Sequence, residues 1–301
     1  MFLRLVRWSI CAIVSILSVA PTASMAAEQE GLSNAPTCQV AGALVRVPEL
    51  PEGSGLAASK RSPGRFWAHN DSGEAVLVAL DSKGTVVGRV RVPGAKVEDW
   101  EAVAVGPCPS GDCIYVGDIG DNEAERRSIT IHRFPEPANA AGAVANAEVF
   151  RARYPDGSHD AETLLVTPAG DILIVTKGDT GPVGLYRFPS DAQPGSTVTL
   201  QPIGKPRQGR TADERITDGA VSPSGAWVAL RTNGAILFYR AVDLMSGSWR
   251  EAGRLSLKEL AEPQGEGIAF GDDKTIYVVG EGGGKSQPGT FGRLTCAPGS
   301  S

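Results

Sequence analysis

The chain has 301 residues, with 29 Lys and Arg against 34 Asp and Glu, a formal net charge of −5. That acidic balance excludes general nucleic-acid binding, which needs a basic surface to replace phosphate counter-ions. Aromatic residues make up only 6 % while glycine numbers 37, as expected of short strands joined by many tight turns, and the length suits a single large domain.

Residues 1–26 read as an export leader. Arg4 and Arg7 form its basic start, Trp8 to Ala20 its apolar stretch, and Ser24-Met25-Ala26 a small-residue cleavage site before Ala27. The apolar stretch is too short to span a bilayer comfortably, and Cys11 lies too early for a lipid anchor. No later segment reads as a membrane span. The expectation is a soluble exported protein, periplasmic or extracellular, with a loose N-terminus at 27–37 and one domain over 38–298. Removing the leader leaves 27 basic against 34 acidic side chains, a net charge of −7. It also leaves four cysteines, Cys38, Cys108, Cys113 and Cys296. An even count in an oxidising compartment favours disulfides. Cys108 and Cys113 flank a hairpin tip, which leaves Cys38 to pair with Cys296. Zinc is the rival reading, but no two cysteines have knuckle spacing and the chain has only three histidines.

In chain order, the apolar pattern over Cys38–Val47 predicts a strand ending at Pro48 and Pro51. The next four strands are expected at 55–59, 65–69, 75–81 and 86–92, separated by Asn70-Asp71-Ser72-Gly73 and Asp81-Ser82-Lys83-Gly84, which is turn chemistry. Similar sets follow at 101–105, 114–117, 130–134 and 147–154, then at 162–166, 172–176, 184–188 and 197–203. A fourth set spans 219–222, 227–231, 236–240 and 249–255, with a turn of helix within 256–262. Only three strands follow, at 267–270, 275–279 and 290–294. The alanine-rich 138–146 reads as a helical turn or a loose connection.

The starts of these sets share one pattern, a small or acidic residue followed by an apolar run: Ser54, Glu101, Glu162, Asp218 and Glu266, spaced 47, 61, 56 and 48 residues apart. Short strands repeating every 40–60 residues mark a β-propeller. The expected fold is therefore all-β, one five-bladed propeller; six blades remain open if the interval between Glu101 and Glu162 hides a degenerate repeat. The last set lacks its outer strand, and the strand at 38–47 supplies it, with Cys38–Cys296 at the seam.

In such a ring the inner strands begin at one tunnel mouth, and the turns after the second strands open on the same face. The acidic starts Glu101, Glu162, Asp218 and Glu266 would repel one another there, and a hard cation removes that cost. Calcium, which takes six to eight oxygen ligands, is the expected cofactor. The alternative is that these residues cap strands and bond neighbouring backbone. Around them lie Asn70, Asp71, Asp118, Lys177, Arg231 and Glu281 as expected ligand contacts. Trp100 offers a stacking face or interblade packing. His69 and His159 lie beside carboxylates and are candidates for proton transfer, or else structural hydrogen bonders. Lys205, Arg207 and Arg210, with Arg215 beyond them, form a basic cluster that leads to the same mouth and offers a seat to an anionic group, or else is ordinary solvated charge.

The starts Asp99-Trp100-Glu101, Asp160-Ala161-Glu162 and Gly265-Glu266-Gly267, with Gly117-Asp118-Ile119-Gly120-Asp121-Asn122, carry a resemblance to exported bacterial β-propeller proteins of uncharacterised function. The layout is also similar to the five-bladed calcium-activated nucleotidases (apyrases). That resemblance implies a tunnel calcium at Glu101, Glu162, Asp218 and Glu266, and a phosphoanhydride hydrolase. The expectation is thus a propeller that binds a divalent cation at the mouth and an anionic or polar small molecule on the same face. A calcium-dependent hydrolase of phosphoesters or esters and a protein-interaction scaffold are the alternatives.

Overall fold

In the computed structural model, residues 35–144, 147–207, 214–284 and 286–297 are described. The expected leader, most of the expected N-terminal tail and the basic residue Arg210 lie outside them. The described chain forms five antiparallel sheets arranged as five blades. Blade 1 comprises Gly53–Ala58, Arg65–Asn70, Val76–Asp81 and Val86–Arg91. Blade 2 comprises Trp100–Cys108, Gly111–Asp118, Ile129–Pro135 and Glu148–Arg153. Blade 3 has Ala161–Val166, Ile172–Thr176, Leu185–Arg187 and Gln201–Pro202, and blade 4 Ile216–Val221, Trp227–Thr232, Ala235–Arg240 and Glu251–Ser256. Blade 5 has Gln264–Asp272, Thr275–Glu281 and Gly289–Ala297.

Blade 5 is completed from the other end of the chain. Thr37–Val40 pairs antiparallel with its third strand, placing Cys38 opposite Cys296, and Val45–Val47 pairs further along the same strand. The single strand expected over 38–47 is thus two short ones. Both expected disulfides form, Cys38–Cys296 and Cys108–Cys113. The strand expected at 197–203 is also divided: Thr197–Thr199 runs parallel to the outer strand of blade 2, and only Gln201–Pro202 stays with blade 3. Within the alanine-rich segment, Gly142–Ala143 adds a parallel pair to blade 1. A short helix at Ala241–Met245 follows the third strand of blade 4, and one 3-10 turn forms at Lys258–Leu260.

The first two strands of each blade are buried on both faces, because the blades stack face to face around the ring, and their apolar runs are accordingly continuous, while the outer strands are largely exposed. Alternation sends neighbouring residues into different interfaces. Phe66 and Leu56 pack with Tyr277 and Phe291 between blades 5 and 1, whereas Trp67 and Ala57 pack with Val103 and Ile114 between blades 1 and 2. Ile174 faces blade 2, while Leu173 and Val175 face blade 4. The remaining interface joins Trp227 and Phe238 of blade 4 to Ile268 and Ile276 of blade 5. Five hydrophobic clusters therefore serve five interfaces.

A hydrogen bond near the axis ties every blade to the next. Trp100 N–H donates to the Asp71 carbonyl at 3.0 Å, Ile216 N–H to the Lys177 carbonyl at 2.9 Å, and Gly282 N–H to the Pro51 carbonyl at 3.0 Å. Asp121 N–H donates to Asp160 Oδ1 at 2.7 Å and Gly265 N–H to Asn233 Oδ1 at 2.7 Å. The inner strands approach so closely that a Cβ on Gly55 would stand 2.7 Å from the Val103 nitrogen of the neighbouring blade. Only glycine fits there.

The ring-closing disulfide links residues 258 positions apart. In the chain-entropy account, closing so long a loop contributes about 5–6 kcal/mol, against about 2 kcal/mol for the Cys108–Cys113 loop. Paired substitution Cys38→Ser with Cys296→Ser is therefore expected to lower the denaturant midpoint at least twice as far as Cys108→Ser with Cys113→Ser. Equal losses would remove the seam from the account.

Candidate functional site at the tunnel mouth

Where each inner strand begins, its register with the second strand slips. The irregularity falls between Gly53 and Leu56 in blade 1, Trp100 and Ala102 in blade 2, and Ala161 and Thr163 in blade 3. It lies between Ile216 and Asp218 in blade 4 and between Gly265 and Ile268 in blade 5. A β-bulge sets one residue outside the ladder and re-aims its side chain. The bulged residues are Ser54, Glu101, Glu162, Thr217 and Glu266, with a glycine beside those of blades 1 and 5.

The residue of blade 4 equivalent to Glu101 and Glu162 is thus Thr217. Asp218, expected among the metal ligands, is back in the ladder and points the other way, because a one-residue shift changes the face. It is fully buried between blades 4 and 5, where its Oδ2 accepts the Ile268 N–H at 2.8 Å. It does not line the mouth.

The mouth is a polar cavity of about 430 Å³ lined by Asp71, Glu101, Glu162, Glu266 and Glu281, by Lys177 and Arg215, and by amide and hydroxyl groups including Asn122, Asn233, Thr217 and Gln264. The far end of the inner strands is different, a smaller apolar hollow lined by Leu56, Val103, Leu164, Val166 and Phe270. Polar chemistry is concentrated at one end.

Three glutamates form the floor of the mouth, each at most 7 % exposed. Glu101 Oε2 accepts the Ser54 hydroxyl at 2.8 Å. Glu162 pairs with the Lys177 ammonium, which also meets Asp160 Oδ2 at 3.2 Å. Glu266 Oε1 accepts from Gln264 Nε2 at 2.8 Å, and the same amide donates to Glu281 at 3.0 Å. The second oxygen of Glu266 is buried with no hydrogen-bond partner among the described residues. Burial pushes all three carboxyls up, and they push one another. Glu101 is held well above the ordinary range by burial and then by Glu162; Glu162 by burial and then by Glu266. Burial raises Glu266 to about 7. Burial opposes the Lys177 ammonium, but Glu162 and Asp160 outweigh it and hold its pKa above the usual lysine value.

Asp99, two residues before Glu101, lies beside the Glu101 side chain, and burial raises its pKa too. Each charged carboxyl beside the other disfavours its ionisation, and Asp99 adds to what holds Glu101 up. Gly120 makes room for the pair: a Cβ there would lie 2.4 Å from the Asp99 carboxyl carbon.

The donor set is all oxygen, which is the chemistry calcium takes. In this arrangement Lys177 supplies the positive charge, and no group of three or more acidic, histidine or cysteine side chains among the described residues is placed to hold a metal ion.

Of the expected ligand contacts, Asp71, Lys177 and Glu281 line the cavity. Asn70, Asp118 and Arg231 are instead clasps. Asn70 bonds both the Glu52 N–H and the Glu49 carbonyl, and Asp118 takes the N–H groups of Glu98 and Asp99 and an ion pair from Arg126. Arg231, wholly buried, donates to the carbonyls of Gly267 and Val279 and pairs with Glu262. Trp100 is packed between blades, its indole N–H on the Lys96 carbonyl at 3.1 Å.

The two expected proton-transfer histidines also stand away from the mouth. His69 is sealed edge-on against Trp100, and burial lowers its pKa to about 4, so it is a neutral packing residue. His159 bonds Asp156 at 3.0 Å and Tyr186 at 3.2 Å, outside the cavity. In the basic cluster, Arg207 stacks near Trp249 and bonds Tyr239, and among the described residues of the cluster Arg215 alone lines the mouth. Asp99, Thr217, Asn233 and Gln264 join the expected residues at or beside the mouth. Asp99 and Gln264 each lie two residues from a start acid, a spacing that returns a side chain to the same face.

No protein-family model matches the chain, and no curated protein matches its sequence. Among solved structures it is similar in fold to the PQQ-bound aldose sugar dehydrogenase of Streptomyces coelicolor, at 12 % identity over 88 % of this chain and 99 % of that one, with a TM-score of 0.52. The apo soluble aldose sugar dehydrogenase of Escherichia coli matches at 11 % identity, over 87 % and 99 %, with a TM-score of 0.51. The Malassezia sympodialis allergen Mala s 1 matches at 10 % identity, over 85 % and 96 %, with a TM-score of 0.54. At these identities the likeness is one of propeller fold.

A carboxyl whose pKa is higher in the folded than in the unfolded protein binds more protons when folded, so stability falls as pH rises. For Glu266 the window runs from its ordinary 4.5 to about 7. Thermal unfolding from pH 4.5 to 7 is expected to show a decline that Glu266→Gln flattens, by up to about 3 kcal/mol at pH 7. An identical slope in the variant would place Glu266 outside the cluster.

Proposed function

We propose that the protein is a ligand-binding propeller whose mouth cavity takes a hard divalent cation, calcium by donor type, together with a small polar or anionic molecule. The observation that carries this reading is the charge of one cavity: five carboxyl side chains face two basic ones, and the three deepest are raised together. Such a site gains most from a positive charge. Glu101, Glu162 and Glu266 would hold the cation once their carboxyls turn toward one point and Lys177 gives up Glu162. Bound there, it would offset their repulsion and present a positive centre to an anionic group. Lys177 competes for the same oxygens, so cation affinity is set against an internal ammonium. Asp71, Asn122, Asn233 and Gln264 then offer hydrogen bonds to the polar part of the ligand. Two disulfides support work in an oxidising compartment, in line with the expected leader.

The Asp99–Glu101 pair favours a second reading, a hydrolase. Two adjacent carboxyls, one held further above its ordinary range than the other, are an arrangement general acid–base catalysis uses. In that case Asp99 and Glu101 move the proton, and the histidines have no part.

Thermal unfolding with and without calcium tests the first reading. Calcium at about a hundred times its dissociation constant is expected to raise Tm by about 5 °C. Glu101→Gln with Glu266→Gln abolishes the shift, and Lys177→Met enlarges it. No calcium response in the wild type, or an undiminished one in the double variant, refutes the reading. Turnover on phosphoester and ester panels that Asp99→Asn abolishes would establish the hydrolase; turnover unaffected by it would exclude that pair.

A further inference from the structure

Outward from the mouth, on the same face, a second cavity of about 360 Å³ opens between blades 2 and 3. It is lined by Arg126, Arg127, Arg153, Tyr154, Gly157 and Ser158. Three guanidinium groups around one cleft are unusual on so acidic a chain, and together they make a locally positive patch. Arg126 is fixed and only 13 % exposed: Nη1 pairs with Asp118 at 2.8 Å and donates to the Gly120 carbonyl at 2.7 Å, while Nη2 meets Glu98 at 3.4 Å. Its backbone is fixed as well. Asp121 accepts the N–H groups of Glu125 and Arg126, each at 2.8 Å, and the Ser158 hydroxyl donates to the Arg126 carbonyl at 2.7 Å. The two loops that form the cleft are thus tied together.

Arg127 and Arg153 differ from Arg126. Both are exposed, and neither guanidinium has a hydrogen bond or ion pair among the described residues. Asp156, the nearby carboxylate of the same loop, is engaged by Tyr186 at 2.9 Å and His159 at 3.0 Å. The Tyr154 hydroxyl is buried without a partner, and burial holds its pKa well above the ordinary phenol value, so it remains a donor.

We infer that this cleft is an anion site for a tetrahedral oxyanion, a phosphate or sulfate group, with Arg127 and Arg153 as its contacts and Arg126 as the fixed third guanidinium. Guanidinium groups match tetrahedral oxyanions through paired N–H donors, and two with no competing carboxylate give up little to bind one. The site is independent of the reading of the mouth, since none of its residues lines that cavity.

Calorimetric titration of the wild-type protein with inorganic phosphate and with sulfate, against acetate and chloride, tests it. Saturable binding of both oxyanions, and not of acetate or chloride, is expected. Arg127→Ala with Arg153→Ala weakens it about a hundredfold, on the order of tenfold per guanidinium lost. Arg89→Ala, on blade 1, leaves it unchanged. Arg127→Lys with Arg153→Lys keeps the charge and lacks the fork, and falls between the two, which separates the site from any general loss of folding. The inference is overturned by no saturable oxyanion binding, by a double alanine variant that binds like the wild type, or by an equal loss in Arg89→Ala.

Discussion

Five bulges at the starts of five inner strands set the terms for the rest of this molecule. A regular ladder would send alternate side chains into the two blade interfaces and leave the axis to backbone. Each bulge frees one residue from that alternation and turns it toward the axis. Three of the five freed residues are glutamates, the other two hydroxyls, and the hydroxyls bond glutamate-bearing neighbours: Ser54 to Glu101, and Thr217 to the Glu266 carbonyl at 3.1 Å. The same backbone device that lets the inner strands crowd together therefore concentrates acid at one end of the tunnel.

Burying acid has a cost, and the chain meets it in three ways. Glu162 has an ammonium, Glu101 has the Ser54 hydroxyl, and Glu266 has an amide and one oxygen left over. A structural core would have replaced these groups with apolar ones of similar size, since buried ion pairs seldom add stability over a hydrophobic filling. Retained acid with raised pKa values in an open cavity is the mark of a site. The apolar opposite end shows that the fold itself does not require charge on the axis.

The architecture was legible because its signal repeats. Apolar runs at regular spacing located the inner strands, and a missing outer strand with two distant cysteines located the seam. Side-chain direction was not legible. Asp218 looks like Glu101 and Glu162 in sequence, yet the bulge of blade 4 falls one residue earlier, on Thr217. The polar residues ending the second strands recur as faithfully as the acids, but Asn70, Asp118 and Arg231 spend their hydrogen-bonding capacity on the chain leading into an inner strand. Recurrence there reports a need of the ring rather than of a ligand. His69 shows the same limit: its neighbours Asn70 and Asp71 are polar, while the ring itself packs on Trp100.

Cation binding at the mouth depends on the protonation of the three glutamates. Carboxyl-carbon NMR of the labelled protein, titrated from pH 3 to 9 with and without calcium, measures it directly. Glu101, Glu162 and Glu266 are expected to titrate above the ordinary glutamate range without calcium, and to move down together when it is added. Titration near the ordinary value, with no response to calcium, would contradict both the buried acidic cluster and the cation it is proposed to hold.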